Sequence, residues 1–222
     1  MAVVGEGKHG RIYLSPDAEQ AVAANIPAPE SYPSGVMPEN PRWFSPPAFG
    51  MTEYSDLFTN RQLTALTTFS ALVAEAQAKA EADAVAAGVT NDHIALSAGG
   101  SGARAYGEAV GVYLAFLIDK MADYHSTVCI WHTTGEKMAN TMRRQAIQMT
   151  WDYAEGNPFS EKSGSFSNMI SWVVNVLNQI PAQKAGEVSQ FDAQSDCGLR
   201  NIVVSTDPPY YCLLYTSDAA DD

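Results

Sequence analysis

The chain has 222 residues, 46% of them hydrophobic, and a formal charge of −12 from 13 basic and 25 acidic side chains. That length allows one domain or two small ones around a substantial core. So acidic a balance argues against an independent nucleic-acid binder, because phosphate contacts need a basic face; Lys137, Arg143 and Arg144 form one small basic patch within 136–145. No apolar run approaches the roughly 20 residues that span a bilayer. The first eleven residues are not followed by the apolar stretch of a signal peptide. Cys129, Cys197 and Cys212 lie far apart, with no paired spacing that suggests a zinc site or a disulfide framework. The expectation is a reduced, cytoplasmic protein with no membrane partner and no internal repeat; its oligomeric state is not legible.

In chain order, residues 1–50 are rich in proline and glycine, which disfavours helix and predicts an extended segment, with Arg11-Ile12-Tyr13-Leu14 as a short strand. Residues 51–181 read as helical. Thr59 or Asn60 can cap a helix whose apolar positions Leu63, Leu66, Phe69, Leu72, Val73 and Ala76 recur at helical spacing, and Gly88 stops it. Gly99-Gly100-Ser101-Gly102 leads into a second helix whose face of Tyr106, Val110, Tyr113, Leu114, Leu117, Ile118 and Met121 is too broad for a solvated helix. A third helix is predicted over about 136–151. A fourth, 168–180, carries Ile170, Trp172, Val173, Val176 and Leu177 and ends at Pro181. Trp151, Phe159, Phe166 and Trp172 read as core.

From 182 the character changes. Residues 187–191 alternate as a strand would and end at Asp192; a polar turn precedes a second strand, Ile202 to Ser205, that runs into Asp207-Pro208-Pro209-Tyr210-Tyr211. An isolated strand pair is marginal in water, so partner strands must come from elsewhere. Residues 212–222, Cys-Leu-Leu-Tyr-Thr-Ser-Asp-Ala-Ala-Asp-Asp, resemble the in-frame translation of a transposase-type sequencing adapter, so the natural chain is expected to continue differently after Tyr211. An ordinary polar tail is the bland alternative.

Asp207-Pro208-Pro209-Tyr210 has a chemistry of its own. An exocyclic amino group on adenine or cytosine is a poor nucleophile because its lone pair is delocalised into the ring. A carboxylate (Asp207) and a backbone carbonyl (Pro208) that accept its two N–H bonds draw the nitrogen toward tetrahedral geometry and free that pair. Pro209 stiffens the loop, and Tyr210 can stack on a base turned out of its helix. A strand just before the motif is the required setting, since open α/β sheets bind ligands at the carboxyl ends of their strands.

With an apolar strand before it, this tetrapeptide resembles the catalytic signature of the amino-group DNA methyltransferases. The wider chain is similar to large bacterial and archaeal adenine-specific DNA methylases. The similar stretches are Phe58 to Phe69, Gly102 to Tyr106, Trp151 to Phe159 and Ser205 to Tyr211, within a resemblance running from about Gly7 to Tyr211. The resemblance implies an α/β fold: an incomplete Rossmann-like methyltransferase domain, residues 182–211, preceded by a mainly helical insertion. It implies S-adenosylmethionine as methyl donor and DNA as the partner of the complete parent protein. It also implies catalytic roles for Asp207, Pro208, Pro209 and Tyr210, and a place near the cofactor's adenine for Asp192. The family's cofactor-binding Phe-x-Gly-x-Gly segment is absent, so the 222-residue chain is expected to be inactive alone.

Other readings stand beside this one. Pro208-Pro209-Tyr210-Tyr211 also fits a proline-rich ligand of an aromatic-grooved module, which would make the chain a non-enzymatic interaction protein. Related tetrapeptides also serve methylation of protein amides. Burial of Val203 and Val204 in a strand would favour the enzyme; a free Pro208–Tyr211 would favour the ligand. Gly99–Gly102 could form an anion-binding nest, but a helix-entry loop is the simpler reading without a preceding strand or following lysine. His125 and His132 lack the carboxylate or cysteine that would complete a metal set. Arg143 and Arg144 read as phosphate contacts of the parent or as a solvated helix face.

Overall fold

A computed structural model describes residues 3–40, 42–162, 164–181, 186, 188, 190–192, 195 and 197–207. The chain divides into two units, Met1–Ile180 and Pro181–Asp222.

The first unit begins with an antiparallel hairpin, β1 (Val3–Gly7) and β2 (Gly10–Leu14), in register from Val3 opposite Leu14 to Gly7 opposite Gly10. The strand expected at Arg11–Leu14 is therefore formed, with a partner that its mixed composition did not announce. The extended reading of residues 1–50 needs correction at α1 (Ala18–Ala24). This helix falls between the proline clusters. The Asp17 carboxylate accepts from the Gln20 N–H while the Gln20 side chain accepts from the Asp17 N–H, so two orphan donors are satisfied at once.

Helix α2 (Asn60–Ala86) starts at the Thr59 cap, again with a reciprocal Thr59–Gln62 box. It ends at Gly88, whose φ of +90° lets its N–H and that of Val89 reach back to the Val85 and Ala84 carbonyls. Helix α3 (Ala103–Tyr124) lies close against α2. The approach depends on glycine: a Cβ at Gly107 would stand 2.8 Å from the Gln77 carbonyl oxygen, and one at Gly111 would stand 2.7 Å from Gln77 Oε1. Helix α4 (Phe166–Leu177), capped by the Ser165 hydroxyl, buries Met169 against Leu117 and Met121 of α3; Phe69, Phe166, Ile170 and Val173 are among the partly buried side chains packed against this cluster. A second cluster of Met37, Leu57 and Val128 joins the proline-rich segment to the chain beyond α3.

The helix expected over 136–151 does not form. In its place stand β3 (Trp131–His132) and β4 (Lys137–Met138) as a small hairpin, followed by irregular chain. Its backbone donors find tertiary partners instead: Ala139 N–H on the Ile130 carbonyl at 2.9 Å, Thr141 on Asp123 at 2.7 Å, and Ile147 on Trp43 at 2.8 Å. Long-range bonds of this kind override a modest local helical pattern.

The expected strands after residue 182 are not formed among the described residues either. Val188, Gln190 and Phe191, and the whole of Ile202–Ser205, are irregular and exposed. The described sheets are the two antiparallel hairpins, and no parallel sheet is among them. The physical reason lies in the ladder: an extended segment leaves every backbone donor and acceptor unsatisfied unless a neighbouring strand takes them.

Candidate functional site

Asp207 lies in exposed, irregular chain, and Pro208, Pro209 and Tyr210 fall outside the described residues. The run that leads to Asp207 is open to solvent, with Val203 98% and Val204 70% exposed. The expected burial of these two valines is therefore corrected for this chain by itself. Asp192 is likewise exposed and irregular; its carbonyl accepts from the Ser195 N–H at 3.0 Å, which closes a short turn. A methyl donor the size of S-adenosylmethionine needs a walled cradle, and the described residues around Asp192 and Asp207 do not provide one. The cofactor does not fit them.

In the first unit, two of the stretches that carry the family resemblance meet. Arg61 at the start of α2 forms a two-pronged pair with Glu155, Nε to Oε1 at 2.8 Å and Nη2 to Oε2 at 2.6 Å. Its remaining arm donates to the Ala24 carbonyl. The Glu155 carboxylate, through its hydrogen bond and its charge, holds the Arg61 guanidinium above its ordinary value. Phe69 of α2 packs on Phe159, centroids 5.8 Å apart, and stacks on Phe166 at 4.8 Å. The aromatics expected as core divide: Phe166 joins it, whereas Trp151, Phe159 and Trp172 are 74%, 81% and 66% exposed.

The most fully built polar cluster sits at the end of α3, where Asp123 is only 8% exposed. Burial alone would raise its pKa. The Met142 N–H at 2.8 Å, the Asn140 amide at 2.8 Å and the Lys120 ammonium at 3.0 Å outweigh that and hold it below the ordinary carboxylate range. Next to it, the buried hydroxyl of Ser126 and that of Thr141 lie 2.7 Å apart, and the Cys129 thiol reaches the Asp123 carbonyl at 3.5 Å. His125 donates from Nε2 to the Gly164 carbonyl at 2.7 Å. The cluster pins irregular chain to a helix end. It was invisible in sequence because its members come from separate elements, and no local pattern links Asp123 to Asn140 and Met142.

The glycine-rich entry to α3 proves to be filled by the chain itself. The Asp92 carboxylate accepts from the Ser101 N–H at 3.1 Å and from the Ile94 N–H at 3.0 Å. Those bonds, Ser101 first, hold its pKa below the ordinary value. A negative group already occupies the nest, so the loop reading holds and the anion reading falls. Asn91-Asp92, a turn-forming pair, is the signal that could have revealed this. His125 stands at the C-terminal cap of α3 and His132 in β3. Among the described residues no group of three metal-ligating side chains exists.

An open apolar cavity of about 360 Å³ lies between α3 and α4, walled by Phe116, Leu117, Tyr124, Met169, Trp172 and Val176. Among the described residues no helix is long and apolar enough to cross a membrane. No family model matches the chain, and no curated protein or solved structure matches it either.

Proposed function

We propose that the chain is part of an S-adenosylmethionine-dependent DNA methyltransferase acting on an exocyclic amino group, adenine's in the first instance. Residues 182–211 would belong to its Rossmann-like catalytic domain and residues 51–181 to a helical insertion. One observation carries this reading. Ile202-Val203-Val204, a run of strong strand formers, stands just before Asp207-Pro208-Pro209-Tyr210, the order that an amine-gripping corner at the end of a strand requires. The exposure of Val203 and Val204 in this chain counts against it, so the burial of that run in a sheet is itself part of the proposal. In that sheet Asp207 and the Pro208 carbonyl accept the amino hydrogens, Pro209 holds the corner rigid, and Tyr210 stacks on the extruded base. The donor's cradle is assigned to residues other than those described.

The test is methyl incorporation into DNA. The 222-residue chain alone should transfer none; transfer by it would overturn the assignment of the donor site. In the protein encoded by the complete gene, Asp207→Ala should abolish transfer with the circular dichroism spectrum unchanged. Undiminished turnover would remove Asp207 from the mechanism. The exposure of Val203 and Val204 favours a second reading, in which Pro208-Pro209-Tyr210-Tyr211 is a ligand for an aromatic groove. A Tyr210→Ala variant that loses binding to such a module, in a parent that methylates nothing, would establish it.

A further inference from the structure

We infer that the loop face formed by residues 40–52 and 137–151 binds a nucleic-acid strand, with Arg42, Arg143 and Arg144 on phosphates and the Phe49–Trp151 pair on a base. Four observations carry this. First, the two segments hold Arg42, Lys137, Arg143 and Arg144 and no Asp or Glu between their ends, with Glu39, Glu53, Glu136 and Asp152 flanking them, in a chain whose overall charge is −12. Second, they are joined: Phe44 bridges Ile147 in parallel, Ser45 N–H donates to the Ile147 carbonyl at 3.1 Å, and Met149 N–H donates to Ser45 Oγ at 2.7 Å. Third, five other cations are in ion pairs with carboxylates, whereas among the described residues these four are in none. Fourth, Phe49 and Trp151 meet edge to face with centroids 5.1 Å apart, yet are 53% and 74% exposed.

Each feature has a role. An acidic protein repels a polyanion on average, and charge is felt over about 10 Å at moderate salt; the flanking carboxylates and Asp123, which accepts from the Met142 N–H, weaken the attraction, so the exposed arginine heads must reach phosphates beyond them. Arg42 lies over the half-buried Trp43 ring at 5.0 Å, which pre-orients its guanidinium. The Arg143 and Arg144 heads are in solvent; the one side-chain partner is Gln148, 3.5 Å from Arg144 Nη1. An exposed indole braced by a second ring is a stacking platform, and aromatic faces beside a basic track are how single strands are held without sequence preference. The failed helix at 136–151 matters here, because irregular chain lets consecutive arginines face one partner. This inference does not draw on Asp207 and stands if the methyltransferase reading fails.

The experiment titrates the full chain into a short fluorescently labelled DNA, single-stranded and duplex in parallel arms, from about 50 to about 200 mM salt. Three phosphate contacts predict a slope of log affinity on log salt of about −2 for the single strand. R143Q/R144Q should bring that slope to about −0.7, and Trp151→Leu should weaken single-strand binding about 10-fold by removing a stacked base. The heads are exposed, so circular dichroism and thermal midpoint should not change; R143K/R144K, which keeps the charge, should keep the slope. Absence of binding at the lowest salt, or a slope unchanged in R143Q/R144Q, overturns the inference. So does displacement of the DNA by polyglutamate at equal charge with no effect of Trp151→Leu, which would mark the face as a site for acidic protein.

Discussion

Helix α4 and the run Ile202-Val203-Val204 are both strongly apolar, yet only one of them is structured. In α4 each N–H beyond the first turn is satisfied by a carbonyl four residues back, so the element needs outside help only for its buried face and its ends. Ser165 supplies the end, and Leu117 and Met121 the face. The valine run has no such local closure. A strand's hydrogen bonds are all made to another strand, and without one its side chains stay in water. Comparable hydrophobicity therefore gives a docked helix in one place and exposed irregular chain in the other.

The widest separation between the two should come from Met169→Ala, which empties the site where α4 meets α3. It should lower unfolding free energy by about 3 kcal/mol, read by urea denaturation; a loss under 1 kcal/mol would mean that α4 is not held by that contact. Asp123→Asn removes the charge from a buried cluster and should cost about 2 kcal/mol near neutral pH. Asp123 is held below its ordinary value, so its contribution is complete above the unfolded carboxylate pKa of about 3.9 and fades as pH falls through the folded value. The Asn variant should therefore lose less stability on acidification than the unaltered chain, and equal acid sensitivity would contradict the assignment. Ser165→Ala, which uncaps α4, should cost about 1 kcal/mol. Last, Val203→Asp should change the stability of the first unit by less than about 0.5 kcal/mol, as an exposed substitution does; a larger loss would show that the run is buried in solution.

Local signals served where local physics closes the structure. Thr59 or Asn60 before the apolar repeat, and Gly88 after it, mark both ends of α2 in the sequence, and the structure uses Thr59 as the cap. Gly102 before an apolar repeat gives the start of α3 equally well. The pattern over 136–151 misled because Thr141, Met142 and Ile147 bond to Asp123 and Trp43, partners that periodicity does not reveal. The broad apolar face of α3 misled differently: it predicts burial for Tyr106 and Tyr113, which are 57% and 38% exposed. Hydrophobic pattern states what a residue would gain from a partner, not that one is present.

The proposed site divides along the same line. Its chemistry is legible in four consecutive residues, Asp207-Pro208-Pro209-Tyr210, because their roles depend on residue type and a stiff backbone. Its assembly is not, because the sheet that would aim Asp207 is a set of long-range pairings. The loop face with Arg143 and Arg144 lies between these cases: the sequence shows the basic cluster, and only folding joins it to Arg42, Phe49 and Trp151.

The sequence by itself determined both ends of α2 and α4 and the start of α3 to within a few residues, the strand at Arg11–Leu14, and the acidic balance, since caps, glycine stops and charge act through near neighbours or simple sums. Tertiary structure alone decided that Asp123 binds the chain beyond β4, that Arg61 meets Glu155, and that Val203 faces water. Each of those outcomes depends on which distant group arrives first to satisfy a buried charge or an open backbone bond, and one-dimensional spacing does not encode that.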